Sequence, residues 1–407
     1  MADTSSVSPS RAFPMERPAG CPFDPPAEYA EFRARETLPV LECPAGIDAY
    51  VASGYDQVRA LLNDPRTSTR GAPSNHVIRD RAVVVDAMPG SIIHFDGAEH
   101  VRYRRMLTPE FTVKRMRALR GRIGELVESH IDAMLAKGGP VDFVRDFALP
   151  LPSLVICELL GADQEDRARF QEQATVMIST DGDPDLFMAT VQEVLEYITG
   201  LVTARMERPR DDMLSRMIQR GRDSKQPPTV LELANLGLFL LMAGHESTAN
   251  MIGLGALAML RHPEQLALLR ADPALAESAV EETLRYLSIV HYGLLRYATE
   301  DIVHGSQTIR AGEWLVASLA SANRDGSVFA DPDTFDLRRA PTKHLAFGFG
   351  SHQCIGQQLA RVELREVFSR LFGRIPSLRL AVPFEELEFK ASTLAYGVAA
   401  LPVTWDT

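Results

Sequence analysis

Cysteine is scarce in this chain. Its four copies, Cys21, Cys43, Cys157 and Cys354, lie far apart with no C-x-x-C pair. That spacing excludes a zinc ribbon and a disulfide framework, and it suits a reducing, cytoplasmic compartment. Basic charge is also in short supply: 43 Lys and Arg against 54 Asp and Glu leave a formal net charge of -11, the wrong sign for a nucleic-acid binder. The first twenty residues are rich in Ser, Pro and Arg and have no apolar core segment, so they read as a flexible leader (residues 1–20) rather than a signal peptide or membrane anchor. One apolar stretch, Leu231 to Leu260, is long enough to raise the question of a membrane span, but His245, Glu246 and Asn250 interrupt it. A charge there is costly in lipid, so the stretch is expected to be a long helix through a protein core and no membrane partner is expected.

With 407 residues, 45% of them hydrophobic, the chain can bury a large core, and length alone suggests two or three domains. No repeat, heptad run or low-complexity linker divides it, so residues 21–407 are expected to form a single domain. Short strands are expected over Gly46 to Tyr55, followed by a helix from Asp56 to Asn63. Apolar spacing of three and four residues predicts helices over His100 to Leu107, Val113 to Lys137, Leu151 to Leu160, Glu165 to Ile178 and Pro184 to Glu207. Further helices are predicted over Leu231 to Leu260, Pro263 to Asp272, Leu275 to Leu287 and Cys354 to Phe372, with Gly373 as a stop. Tyr297 to Ile309 and Trp314 to Ser321 turn toward period two and predict strands. The fold class is mainly α with a small β portion.

The stretch Phe347 to Gly356 reads FGFGSHQCIG. Gly348, Gly350 and Gly356 permit close backbone approach and unusual dihedrals around Cys354. A thiolate at a helix N-terminus is stabilised by the dipole and by free N–H groups. A lone cysteine is more often a small buried apolar side chain, but the glycines and the following helix favour a metal-bound sulfur. A dinucleotide fingerprint is excluded, because Gln353 stands where the third glycine of G-x-G-x-x-G belongs.

FGFGSHQCIGQQLA resembles the haem-binding loop of the cytochrome P450 superfamily, Phe-x-x-Gly-x-x-x-Cys-x-Gly; Phe347, Gly350, Cys354 and Gly356 fill every fixed position. The resemblance runs in order over nearly the whole chain, from CPFDPPAEY at Cys21, and is nearest to soluble actinobacterial members. It implies the cytochrome P450 fold and a haem b whose iron is held by Cys354, an axial thiolate that favours O–O cleavage. Glu282 and Arg285 form a Glu-x-x-Arg pair on one helical face. Alone this is an ordinary surface pattern, but NRDGSVFADPDTFDLRR downstream resembles the family's meander, so Arg339, or alternatively Arg338, is implied to complete a structural Glu-Arg-Arg cluster.

The segment AGHESTAN, Ala243 to Asn250, is not a zincin site, since Ala249 replaces the second histidine of H-E-x-x-H. It resembles the family's oxygen-activating segment, in which Ala243 and Gly244 let the helix pass close to the haem. Glu246 and Ser247 then match the acid–alcohol pair, with Thr248 a second candidate for the hydroxyl role. Serine stands where threonine is common, and a helical Ser that merely bonds back to its own helix is the alternative reading. For the haem propionates the resemblance implies His100 and Arg104 in HVRYRRM, Arg296, and His352, with Phe347 and Gly356 as further cofactor contacts. Arg102 and Arg105 could instead face outward toward an electron donor.

The resemblance implies a monooxygenase that inserts one oxygen atom of O2 into a C–H bond of a hydrophobic small molecule. No flavin- or nicotinamide-binding module is visible, so electrons from NAD(P)H are expected through a separate ferredoxin reductase and an iron–sulfur ferredoxin. The pocket is expected to draw on Arg70 to Ile93, Met177 to Phe187, Leu240 to Ser247, Ile289 to Leu295, and Thr393 to Leu394. Leu240, Ala243, Gly244, Val290, Leu294 and Leu394 are the named lining candidates. Their apolar character suits a macrolide, another polyketide or a sterol-like molecule, and Gly182 to Pro184 reads as a lid joint. Rival readings are a haem-thiolate enzyme that uses peroxide or nitric oxide or isomerises its substrate, and a haem sensor or carrier without turnover. The retained acid and hydroxyl at Glu246 and Ser247 favour oxygen activation.

Overall fold

The computed structural model describes the chain apart from residues 1–10, 15, 19, 44–45, 71–87, 167–168, 171, 174–175, 177–182, 342, 392 and 407. The expected helix over Glu165 to Ile178, the lid joint at Gly182 and most of the Arg70 to Ile93 loop therefore fall partly or largely outside the described residues.

The architecture is organised around one helix. Helices α1 (Glu28–Arg33), α2 (Tyr55–Asn63), α3 (Gly97–Leu107), α4 (Val113–Lys137), α5 (Pro150–Leu160), α6 (Pro184–Glu207) and α7 (Met213–Arg222) precede α8, Val230–Arg261. After it come α9 (Pro263–Ala271), α10 (Ala276–Leu287), a single turn α11 (Leu319–Ala322) and α12 (Gln357–Arg374). Helix α8 opens on a capping box: Thr229 Oγ1 accepts from Glu232 N, and Glu232 Oε2 accepts from Thr229 N at 2.7 Å, which satisfies two orphan donors of its first turn. It is apolar nearly all round and is buried by α5, α6, α10 and α12, as such a helix requires. None of the described helices is long and apolar enough to cross a membrane.

The main sheet has the order β1-β2-β3-β9-β6-β4, with β1 Arg11–Ala12, β2 Val40–Cys43, β3 Ile47–Ala52, β4 Thr67–Ser68, β6 Leu294–Ala298 and β9 Trp314–Ala317. Strand β6 runs antiparallel to β9, with Leu294 opposite Ala317 and Arg296 opposite Leu315. Successive strand residues point to opposite faces, so Leu294 and Arg296 share one. Smaller sheets pair β7 (Ile302–His304) with β8 (Gln307–Ile309), and β10 (Arg379–Leu380) with β11 (Pro402–Thr404) and β5 (Val141–Asp142).

Four sequence expectations need correction. Cys354 is not inside the last helix, which begins at Gln357 after Gly356, so the cysteine sits on the preceding loop. Gly373 does not stop that helix, which runs on to Arg374 and ends where Ile375 leaves helical dihedrals and donates its N–H to Leu371 O. The strand expected to reach Ser321 ends at Ala317, where the Ser318 hydroxyl accepts from Ser321 N and starts α11. The expected leader is not free throughout: Arg11–Ala12 pairs in parallel with β2, Phe13 is buried, and the Arg17 guanidinium lies 4.0 Å over the Tyr396 ring. Arg17 also donates to His291 Nδ1 at 3.1 Å and to Phe23 O at 3.1 Å.

Candidate active site

The Cys354 loop is shaped by backbone that glycine alone adopts easily. Gly350 has φ +75°, and a Cβ there would stand 2.4 Å from Leu62 O at the end of α2, so helix and loop meet at a distance no other residue permits. Cys354 N donates to Phe347 O at 2.9 Å, which closes the loop. Burial raises the Cys354 thiol pKa, while N–H groups of Gly356 and Gln357 and the charges of Arg104 and Arg361 act the other way. These are the groups that would stabilise a thiolate.

The Phe347 ring lies beneath the Arg361 guanidinium at 4.6 Å. Arg361 Nε donates to Glu281 Oε1 at 2.6 Å, and His344 Nε2 lies 3.1 Å from Glu281 Oε2. Burial alone would raise the Glu281 pKa, but the hydrogen bonds from His344 and Arg361 outweigh it and hold the group at about 2. Sequence reasoning missed this clamp. The signal was the second carboxylate of the Glu281-Glu282 pair. Its neighbour Glu282 receives Arg285 at 2.7 Å and Arg339 at 3.1 Å. Arg285 further donates to Asn323 O and Pro332 O. Arg339, not Arg338, thus joins the pair, while Arg338 is exposed.

A cavity of about 280 Å³ opens beside this loop. His100, Arg104, Leu240, Ala243, Gly244, Ser247, Thr248, Val290, Leu294, Phe347, His352, Cys354 and Gly356 all line it. Leu394 does not: its side chain is 44% exposed, because His291 N binds Leu394 O at 3.2 Å in a backbone pairing that turns this residue outward. Among the walls that the sequence reading did not name are Ile156, Phe239, Met251 and Glu363. Gly244 serves close packing as well, since a Cβ there would come within 2.9 Å of Ile156 on α5.

His100, Arg104 and His352 gather on one wall of the cavity, whereas Arg296 is not among its lining residues and has Asp96 as a nearby opposite charge. The His100 and His352 rings lie tilted at 34° with centroids 4.1 Å apart, and His352 Nε2 lies 2.9 Å from Asp96 Oδ1. Burial, helped by His352 and Arg104, lowers the His100 pKa to about 4. Arg104 donates to Gln353 O at 2.7 Å, and Arg296 to Leu295 O at 2.7 Å. Their hydrogen bonds among the described residues thus go to backbone carbonyls. Burial lowers the Arg296 pKa to about 10, leaving it charged at neutral pH. Arg102, by contrast, turns inward to Glu232 at 2.6 Å, whereas Arg105 is exposed.

On α8, Ser247 Oγ donates to Ala243 O at 2.7 Å, so the back-bonding arrangement is present even though the residue faces the cavity. Thr248 is buried and also faces it. Burial raises the Glu246 pKa, with Lys390 and a hydrogen bond from Asn250 opposing.

The cytochrome P450 family model matches residues 269–374. Cytochrome P450-SU2 of Streptomyces griseolus is 43% identical over 99% of this chain and 99% of its own length. The chain belongs to the cytochrome P450 family. Among solved structures, CYP105P1 in complex with filipin I superposes with a TM-score of 0.90 at 43% identity, covering 98% of this chain and 99% of that one. The mycinamicin VIII C21 methyl hydroxylase MycCI of Micromonospora griseorubida, bound to mycinamicin VIII, gives 0.86 at 40% identity, over 97% and 100%. The protein is a cytochrome P450 monooxygenase of the type found in actinobacteria. The residues present fit the haem iron of this family: a lone thiol lines an apolar cavity, and Arg104 on its wall has no carboxylate partner among the described residues.

Proposed function

We propose that Cys354 is the iron ligand of a haem b, and that this cytochrome P450 hydroxylates a hydrophobic secondary metabolite. The observation that carries the reading is the Cys354 sulfur set in the cavity, with N–H groups of Gly356 and Gln357 directed at it. Bound haem would supply O2 activation, so that substrate, O2, two electrons and two protons become hydroxylated product and water. Arg104, Arg296, His100 and His352 would hold its propionates through charge-assisted bonds. Phe347, clamped under Arg361, and Gly356 shape the thiolate side. Glu246 is assigned to hold a proton at its carboxyl, and the hydroxyl of Thr248, or of Ser247 once rotated off Ala243 O, to present one toward the cavity. Glu282, Arg285 and Arg339 keep the loop side rigid.

The substrate is assigned to the macrolide, polyketide or sterol-like class. Support comes from the apolar walls of Leu240, Phe239, Val290 and Leu294, and from filipin I and mycinamicin VIII in the two similar structures. Electrons are assigned to an iron–sulfur ferredoxin and a NAD(P)H-dependent reductase, acting in the cytoplasm. Exposed Arg105, Lys114 and Arg117 on α3 and α4 offer cations for such an acidic carrier. The deciding experiment is the carbon monoxide difference spectrum of the reduced protein, wild type against Cys354→His. A strongly red-shifted Soret band that the variant lacks is expected; a histidine-type band in the wild type, or no haem, overturns the reading. Spin-state shifts with a panel of macrolides and sterols then test the substrate class.

A further inference from the structure

Outside the cavity, a second polar cluster joins α8 to the C-terminal segment. Lys390 Nζ donates to Asn250 Oδ1 at 3.1 Å, and Asn250 Nδ2 donates to Ala395 O at 2.8 Å. An amide has one acceptor end and one donor end. Lys390 can take only the oxygen, so the Asn250 NH2 is turned toward Ala395 O and toward Glu246, one helical turn earlier. Thr393 Oγ1 bonds to Lys390 O and Ala395 O and stiffens the segment that carries the lysine. A Cβ at Gly397 would come within 2.4 Å of Asn250 Oδ1, so the chain closes over the amide.

We propose that Lys390 is a positioning residue for the Glu246 carboxyl, acting through Asn250 to orient it and through its own charge to keep it able to ionise inside the protein. The proposal rests on Glu246 being the acid of the oxygen-activating segment. Burial pushes this carboxyl toward its neutral form and Lys390 pulls it back, and Glu246 in turn opposes the burial that lowers the Lys390 pKa. A proton carrier works best when such opposing effects leave both of its forms accessible near the working pH. Asn250 and Lys390 are the groups found acting on Glu246. His245, its neighbour in sequence, is buried with neither ring nitrogen hydrogen-bonded among the described residues. Burial and the Lys390 charge lower its pKa to about 4, so it stays neutral and adds no charge. Lys390 is half-buried between exposed Glu388 and Ala391, which places the cluster next to solvent.

The test is an infrared pH titration of the ferric holoenzyme, with the Glu246 carboxyl band assigned by its loss in Glu246→Gln. An opposite charge within about 4–6 Å moves a carboxyl midpoint by about one pH unit or more. Lys390→Met and Lys390→Gln are both expected to raise the Glu246 midpoint by about that much, while Lys390→Arg keeps it near wild type. An unchanged midpoint in whichever neutral variant folds overturns the role of Lys390. The underlying reading fails separately: oxygen consumption driven by ferredoxin, reductase and NADPH that is identical in Glu246→Gln and wild type at every pH removes Glu246 as the acid.

Discussion

The two sides of the cavity are built on opposite plans. On the Cys354 side, strong donors meet acceptors: Glu282 takes two arginines, Glu281 takes His344 and Arg361, and Arg285 finishes on backbone carbonyls. On the α8 side, polar groups keep spare capacity. His245 has two ring nitrogens without hydrogen bonds among the described residues, and Thr248 faces the cavity beside a Ser247 bonded to its own helix. Saturated networks fix positions, because breaking one strands a buried charge. Groups with spare capacity can accept and pass protons, which the proposed reaction would draw from the side assigned to oxygen activation.

Removing Glu282 is the harshest way to break that contrast. Glu282→Ala leaves Arg285 and Arg339 without their shared carboxylate, and a loss of about 3–5 kcal/mol is expected, with haem retention falling in parallel. The counterpart Glu246→Gln keeps shape and removes only ionisation, so its cost is expected below about 1 kcal/mol. Urea unfolding of both variants decides the matter, and equal losses would erase the distinction between the two sides.

Glu363 is the exception on the α12 side: it is buried, it lines the cavity, and its Oε2 has no hydrogen-bond partner among the described residues. Burial raises its pKa to about 8. A carboxyl raised on folding contributes stability that is full below its unfolded pKa of about 4.3. That contribution is lost as pH climbs through the folded value of about 8. Wild type is therefore expected to lose a few kcal/mol across this window, at roughly 1.4 kcal/mol for every pH unit that separates the two values. Glu363→Gln should flatten the profile. Thermal unfolding at the two ends of the window tests it, and parallel profiles would show that the carboxyl finds a partner after all.

A smaller effect sharpens the picture of the loop. Gly350→Ala combines a left-handed φ with the Leu62 carbonyl at 2.4 Å, whereas Gly348→Ala meets only Leu294 Cδ1 at 3.5 Å. The first is expected to cost about 1–3 kcal/mol and the second about 1 kcal/mol, read by urea midpoints. The reverse order would mean that α2 yields to the loop.

Most helices were legible because their apolar spacing is local: Val113–Lys137 and Pro184–Glu207 match the sequence expectation at both ends. Helix Met213–Arg222 and strand Val40–Cys43 were missed: the helix shows its apolar face at Met213, Leu214, Met217 and Ile218, but only over ten residues, and the strand is too short for its period to show. At the site, Phe347, Cys354 and Gly356 meet Ala243, Gly244, Ser247 and Thr248 at one cavity as expected, whereas Glu246 and Arg296 are not among its lining residues. Partnerships across long separations were not readable. Glu281 with Arg361, and Asn250 with Lys390, are set by how helices pack, which spacing within a single element cannot encode. Leu394 went wrong for the same reason, since its orientation follows from a backbone pairing with His291.

The least disruptive change probes the spare capacity itself. Ser247 Oγ lies 2.7 Å from Ala243 O while its side chain faces the cavity. A serine can leave that bond by rotating about χ1, whereas threonine is stiffer there and its Oγ1 can keep the same carbonyl contact. If the hydroxyl must stay in one place to deliver a proton, Ser247→Thr raises the product formed per electron pair and lowers peroxide release. The expected gain is about twofold to threefold, the size of a rotamer preference worth roughly 0.5 kcal/mol. Equal or poorer coupling would mean that the Ala243 bond already fixes the serine, and Thr248, the other hydroxyl facing the cavity, would become the group to remove next.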